Sequence, residues 1–575
     1  MIPRSEHPKP QFMRDSWLNL NGTWAFEIDQ SRSGEYRNLH AADAQLSGEI
    51  LVPFCPESKL SGVGHKDFIN GVWYQKKVTL TEEQCAGTVF LHFGAVDYEA
   101  TVYVNGKKAG SHKGGYVSFK FDITALVNPG ENVITLNAID DSRQRLIPSG
   151  KQSERPYSYG CFYTRTTGIW QTVWLEFAPK AYIKSIRYET NPNQGILLLT
   201  AQLEGCGDFR AKASYEGKDM GCASAPNARG ELNLSLKVDE IHLWEVGQGR
   251  LYDLELTFGE DTVHSYFGLR SIQLDGMKFL LNGKSVFQRL ILDQGFYPDG
   301  IYTAPSDAAL EKDITMSMDM GFNGARPHEK IFEERYFYHC DRHGYLVWGE
   351  YPNWGLDHSN PNSVFSILPE WLEEVERDRN HPSIIGWCPF NETWPVEHRP
   401  QVNDVLRMVY LATKAADPGR PVIDVSGGFH VVTDIYDVHD YDQNPETFKA
   451  NYDRFMTEDF LYDWLKDKYG MQQYAGGPAF VSEYGGIRWA EGEKDETGVG
   501  SWGYGKDVEG LEDFKRRFKG LTDALLDNDK MLGLCYTQLT DVEQEQNGLY
   551  TYDRQAKFDP EWVKSVMSRK AAIED

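Results

Sequence analysis

The chain has 575 residues, 41% hydrophobic and 13% aromatic, with a formal net charge of −26. That length exceeds a single core and predicts about three domains. The acidic balance excludes the Lys/Arg patches that nucleic acid demands and disfavours a polyanionic substrate.

Residues 1–180 read as all-β. Thr88–Phe93 and Ala100–Val104 are β-branched or alternating runs, and Asn105-Gly106 then marks a tight turn. Further turn signals at Asn21-Gly22, Asn70-Gly71 and Pro129-Gly130 space short strands as in a jelly-roll sandwich. Residues 181–275 form a second β region, with runs at 195–201 and 251–256, and their number suits an immunoglobulin-like sandwich. From 276 to 575 the pattern alternates between strand and helix. Strands are predicted near 286–292, 323–326, 345–349, 384–390, 421–425, 435–439, 479–483 and 533–539. One helix is capped by Ser306 with Leu310, Ile314 and Met318 on one face, and another covers 508–528. Eight strands with intervening helices predict a (β/α)8 TIM barrel, although the fifth and sixth strands are unusually close. The expected fold class is therefore multidomain: jelly roll, immunoglobulin-like sandwich, barrel.

Two glutamates carry the chemistry. Glu392 closes the run from His381, and Glu483 closes Ala479-Phe480-Val481-Ser482. Each ends an apolar segment of the kind a buried parallel strand uses, where an unpaired charge is costly. At the C-terminal rim of one barrel the two carboxylates would face a common pocket, the equipment for cutting a glycosidic bond. Arg326 after the second strand and Tyr441 after the sixth are expected donors to Glu483. His328, His439 and the third rim carboxylate, Glu350, are candidates for substrate contact or for support behind it. Trp348, Trp354, Trp394 and Trp489 follow predicted strands, and one or two of them are expected to line the pocket as a stacking platform.

No metal-ligand spacing occurs, and no cofactor is expected. The eight cysteines lack CxxC spacing, so neither a zinc ribbon nor a disulfide framework is suggested. With no apolar leader and no long apolar span, a cytoplasmic protein without a membrane partner is the expectation.

Several blocks together resemble glycoside hydrolase family 2, and they span nearly the whole chain. Leu18–Trp24 and Tyr163–Gln171 resemble its sugar-binding-type jelly roll. Phe267–Ile272 with Phe279–Gly283 resembles the entry into its barrel, and Gly321–His328 its second strand. The most specific block is Arg379-Asn380-His381-Pro382-Ser383 with Asn391-Glu392. The resemblance implies a retaining mechanism, Glu392 as general acid/base, Glu483 as nucleophile, and Asn391 on the sugar 2-hydroxyl. Glu392 is then expected in apolar burial that keeps its proton.

Substrate identity is less determined. Asp293 after the first strand is a candidate for gripping sugar hydroxyls. Family glucuronidases read a carboxylate with an Asn-x-Lys motif near the last strand. This chain has Gln546-Asn547-Gly548 there, with no lysine in register. That omission and the acidic balance favour exo-action on a neutral sugar, a β-galactoside first. An arabinoside or galactofuranoside is the alternative, and a β-glucuronide is disfavoured. A non-catalytic carbohydrate-binding protein is the rival class. The partner expected is a carbohydrate, and a homo-oligomer is compatible with the sequence.

Overall fold

The computed structural model describes residues 2–396, 399–463, 474–490 and 500–574. The N-terminal region packs two antiparallel sheets face to face. One has the strand order Trp17–Asn19, Val173–Ala178, Thr88–Phe93, Phe119–Asp122. The other runs Gly48–Val52, Gly22–Ile28, Val72–Leu80, Gly130–Ile139, Glu99–Val104, Lys107–Lys113. Their facing residues, among them Trp24, Tyr74, Leu91, Phe93, Val102, Leu136 and Leu175, form a single apolar core. The Asn105-Gly106 turn behaves as its dipeptide dictates. Both residues take positive φ, 52° and 76°, which suits a two-residue hairpin turn.

The second β region is one bent antiparallel sheet folded over its own core. Its 20-residue strand Ile196–Tyr215 pairs with Tyr182–Asn191 through its first half and with Tyr252–Phe258 through its second. Lys218–Lys237 accompanies it, with irregular register between Leu203 and Phe209 where the strand bends. The predicted run at 195–201 is thus only the start of a much longer strand. The alternating buried and exposed pattern of Tyr252–Phe258 is that of a half-buried strand.

The barrel sheet is parallel, in the order Ile384–Cys388, Leu346–Glu350, Gly324–Pro327, Gln288–Asp293, Met531–Thr537, Ala479–Gly485, Tyr436–Asp440. All seven strands are buried along their whole length, because helices cover one face and the barrel interior the other. Ser306 caps Asp307–Asp319 by accepting from the Ala309 amide, and the second helix spans Leu511–Leu526.

The fifth strand departs from expectation. Residues 421–426 make only two isolated parallel bridges, Val422 with Trp387 and Ser426 with Asn391. The reason is local. The Asp424 carboxylate binds His430 Nδ1 at 2.7 Å and accepts from the Val431 and Val432 amides. This closes a tight turn where a barrel normally inserts a helix. Contact with the sixth strand passes instead through Ser426 Oγ, which donates to Asp437 at 2.6 Å.

Candidate active site

Arg326, at the end of the second barrel strand, organises the site. It is 2% exposed, and its guanidinium lies 3.4 Å from His439 Nε2 and donates to four further partners. Nη1 donates to Glu483 at 2.8 Å, Nε to Glu350 at 2.5 Å, Nη2 to Asn391 Oδ1 at 2.7 Å, and Nη1 also to the Ser482 carbonyl at 3.2 Å. Glu483 lies inside its strand, Ala479–Gly485. Its second oxygen accepts from the Tyr441 hydroxyl, which also contacts Thr537 Oγ1 at 3.1 Å. Burial opposes the charge on Glu483, but His439, Arg326 and the Tyr441 hydroxyl outweigh it and hold the carboxyl down at about 2. The expected donors, Arg326 and Tyr441, are the ones found.

Glu392 sits four residues past Cys388, the end of its strand. It has a left-handed backbone, φ 52°, a costly conformation for a side-chain-bearing residue that the fold must enforce. The Glu392 amide donates to the Ser426 carbonyl at 2.9 Å, so the short fifth segment fixes that turn. The expected apolar burial of Glu392 is not what the structure shows. Its side chain is 21% exposed, and Oε1 lies 2.8 Å from His439 Nδ1. The position faces the open cavity, and polarity comes from a histidine rather than from an apolar wall.

His439 spans the pair, with Nε2 3.4 Å from Glu483 Oε1. Burial disfavours its charge, yet the two carboxylates prevail and raise its pKa above the ordinary histidine value. One oxygen of Glu392, one of Glu483 and a ring nitrogen of His439 lie within 4.8 Å of one another. That spacing would also suit a cation, and His439, whose charge both carboxylates favour, is the group that stands between them. Carboxyl groups about 5–5.5 Å apart serve a retaining glycosidase, whereas inversion needs about 6.5–9.5 Å.

Behind this pair, Glu350 binds Arg326, His328 Nδ1 (2.8 Å) and the Glu329 amide (2.9 Å). His328 and Glu350 are buried, and Glu350 ties His328 to Arg326. Asn391 is held through its amide by Asn353 Oδ1 at 2.7 Å, and its buried Nδ2 has no protein partner among the described residues. A side-chain donor is thus available beside the nucleophile.

Two expectations are corrected. Asp293 makes no direct contact with either catalytic glutamate. It is 3% exposed and accepts from the Gly295 amide at 2.9 Å, so it closes its own turn, and burial with nearby Asp313 pushes its carboxyl up to about 6. Trp489 is not a sugar platform. It packs edge-on against Phe514 and Phe558, with ring centroids 6.1 and 5.4 Å away, as part of the apolar cluster those two rings belong to. Trp348 is likewise core, donating to Gln288 at 2.9 Å. Trp354 and Trp394 do line a cavity of about 400 Å³ beside Glu392, together with Phe162, Leu356, Arg145 and Arg399.

The sequence reading overlooked what the N-terminal sandwich contributes. Its segment 142–162 forms one wall of that cavity. Ser149 and Gly150 amides donate to the Trp354 carbonyl at 2.8 and 3.1 Å. Gly150 has φ 52°, and a Cβ there would stand 2.2 Å from the Glu329 carbonyl oxygen. Only glycine permits this approach. Tyr163 donates to Glu545 across the same junction, and Thr164 bonds Glu543. Tyr504 stacks on Tyr441 at 3.4 Å and 2°. Tyr163 lies in a quoted motif block, but nothing local in the sequence assigned Glu545 or Tyr504 to the site.

Comparison with known proteins agrees with this geometry. The model described as "Glycosyl hydrolases family 2, sugar binding domain" matches residues 18–176, and "Glycosyl hydrolases family 2, TIM barrel domain" matches 273–494. The chain is 29% identical over 462 residues to a β-glucuronidase of Felis catus, covering 71% of this chain and 68% of that protein. It is 28% identical over 458 residues to the one of Homo sapiens, with the same coverage. Among solved structures it resembles a β-glucuronidase of Lactobacillus rhamnosus, with a TM-score of 0.80, 20% identity and coverage of 98% and 99% of the two chains. It also resembles one of Ruminococcus gnavus in complex with D-glucuronic acid, with a TM-score of 0.78, 18% identity and the same coverage. Both domain models fall in family order on a chain that brings an oxygen of Glu392 within 4.8 Å of one of Glu483; the chain belongs to glycoside hydrolase family 2 and is a retaining glycosidase.

Proposed function

We propose that the enzyme removes a terminal β-glucuronosyl residue from its glycosides with net retention. The close carboxylate pair carries the reaction class. Glu483, held ionised, attacks the anomeric carbon while Glu392 protonates the departing oxygen, giving a covalent glycosyl-enzyme. Glu392 then takes a proton from the water that releases the sugar. Asn391 Nδ2 donates to the 2-hydroxyl, a bond that tightens as positive charge grows on the ring. The cavity beside Glu392 receives the aglycone, and its wall from the N-terminal sandwich supports exo-action.

The glucuronide is supported by relatives named β-glucuronidase that align over 71% of this chain. Their names support a β-glucuronide over the β-galactoside preferred from sequence. The missing lysine in the Gln546-Asn547-Gly548 segment still favours a neutral sugar as second reading. Asn547 itself is buried and engaged by Gln538 and Glu545. Nitrophenol release from β-glucuronide, β-galactoside, β-glucoside, β-galactofuranoside and arabinoside substrates, with Glu483→Gln as control, decides. The β-glucuronide should give the highest kcat/KM and lose it in the variant. A dominant neutral glycoside would replace the proposal.

A further inference from the structure

Lys151 belongs to the N-terminal sandwich, yet it lies inside the site of the barrel. It is 5% exposed, and its ammonium rests on the Trp354 ring, 3.9 Å from the centroid. Trp354 in turn donates to the Asn391 carbonyl at 3.3 Å, one residue before Glu392. Among the described residues the ammonium has neither a hydrogen bond nor an ion pair. A buried charge in that condition is expensive unless something pairs with it.

The acids around Lys151 are already provided for. Glu483 has Arg326 and Tyr441, and Glu392 has His439. Glu545 accepts from Tyr163 and from Asn547 Nδ2 at 3.0 Å, and burial raises its pKa toward the neutral form. The Cys161 thiol, pushed up to about 11 by burial, carries no charge at neutral pH. Burial works against the charge on Lys151, but its pKa is held above the ordinary lysine value by the Cys161 thiolate, which forms only at the alkaline pH where a lysine titrates, and then by Glu545, Glu483 and Glu392. Lys151 is thus a cation left over beside Glu483, Glu392 and Glu545, each of which already has a partner of its own.

We propose that Lys151, reaching across from the N-terminal sandwich, binds the carboxylate of a uronic acid glycone and so sets the enzyme's preference for charged over neutral sugars. This rests on the glucuronide reading above. It supplies the charge that the last barrel strand lacks, from a different domain and a different direction. Gly150 and the two amide bonds to Trp354 fix the segment from which the side chain projects.

The rival account makes Lys151 a counter-ion for Glu329, whose Oε1 is buried without a partner among the described residues. The test compares 4-nitrophenyl β-D-glucuronide with 4-nitrophenyl β-D-glucoside, which differ only in a carboxylate against a hydroxymethyl group. In Lys151→Met the ratio of kcat/KM values, glucuronide over glucoside, should fall about 10–100-fold, the worth of one charge-assisted hydrogen bond. The loss should lie mainly in KM, and Lys151→Arg should restore much of it. Being a ratio within one preparation, it is unaffected by a partly unfolded variant. Where the glucoside rate is below detection, stabilisation of the wild type by D-glucuronate but not by D-glucose, absent in Lys151→Met, is the expected result. An unchanged ratio, or glucuronate stabilisation equal in both proteins, overturns the role of Lys151 and leaves the glucuronide reading standing. A wild type that cleaves neutral glycosides but no glucuronide overturns both.

Discussion

At the scale of single residues, Arg326 decides how the two glutamates differ. It touches the nucleophile directly and reaches Glu392 only through Asn391 and His439. Against burial, His439 first and Arg326 next hold the Glu483 carboxyl down at about 2, below the ordinary carboxylate value. Its pairing stabilises the fold above roughly pH 4.3, the unfolded glutamate value, and is lost as pH falls through about 2. Arg326→Gln should move the acid limb of the kcat/KM profile upward by about 1–3 pH units, since an opposite charge at this range shifts a carboxylate by that much. An unmoved limb would mean that another group is being titrated. Glu483→Gln should abolish turnover on every substrate. Glu392→Gln should cost about 10²–10⁴-fold on alkyl glycosides but far less on dinitrophenyl glycosides, which leave without a proton. Equal losses on both leaving groups would undo the assignment. The raised pKa of His439 works in the opposite sense. Its charge adds stability fully below about pH 6.5, and that contribution fades as pH rises through the raised value.

At the scale of elements, Trp489 and Trp354 separate packing from binding. Trp489 rests on Phe514, which belongs to Leu511–Leu526, and on Phe558. Trp489→Ala should lower stability by about 3 kcal/mol through lost burial and leave KM for an aryl glycoside within twofold. Trp354→Ala should instead raise that KM, because Trp354 walls the cavity and its indole nitrogen holds the Asn391 carbonyl. Thermal melts and initial rates on both variants give the comparison, and a reversed pattern would return Trp489 to the pocket. The strands of the barrel were readable because burial on two faces demands continuous apolar runs. Seven predicted strands are found within a few residues of their expected places. The 421–425 run is equally apolar, but Asp424 folds the following residues back on itself before a regular strand can form. An isolated carboxylate in a sequence does not announce that it will bind its own loop.

At the scale of the whole molecule, the barrel is not the complete site. The sandwich supplies the cavity wall at 142–162, Tyr163 against Glu545, and Lys151 over Trp354. Tyr163→Phe removes the hydroxyl that Glu545 accepts. It should reduce kcat/KM about 10–100-fold, the usual cost of a lost bond to a charged or buried acid, with little change in secondary structure by circular dichroism. Wild-type kinetics in that variant would make the junction merely structural.

What the sequence determined by itself follows from short-range chemistry. Alternating and apolar runs specify strands, Asn105-Gly106 its turn, Ser306 its cap, and a carboxylate closing an apolar run marks a position that needs a partner, whether for chemistry, as at Glu483, or for support, as at Glu350. Glu392, Glu483, Arg326, Tyr441 and Asn391 were legible in this way, helped by motif blocks in family order. What only the tertiary structure decided depends on separations of a hundred residues or more. Arg326 and Glu483 lie 157 positions apart, Tyr163 and Glu545 382 apart, and Lys151 meets Trp354 from another domain. Such meetings leave no periodicity in either segment, since each partner satisfies its own local pattern and the contact exists only once the sandwich is docked on the barrel.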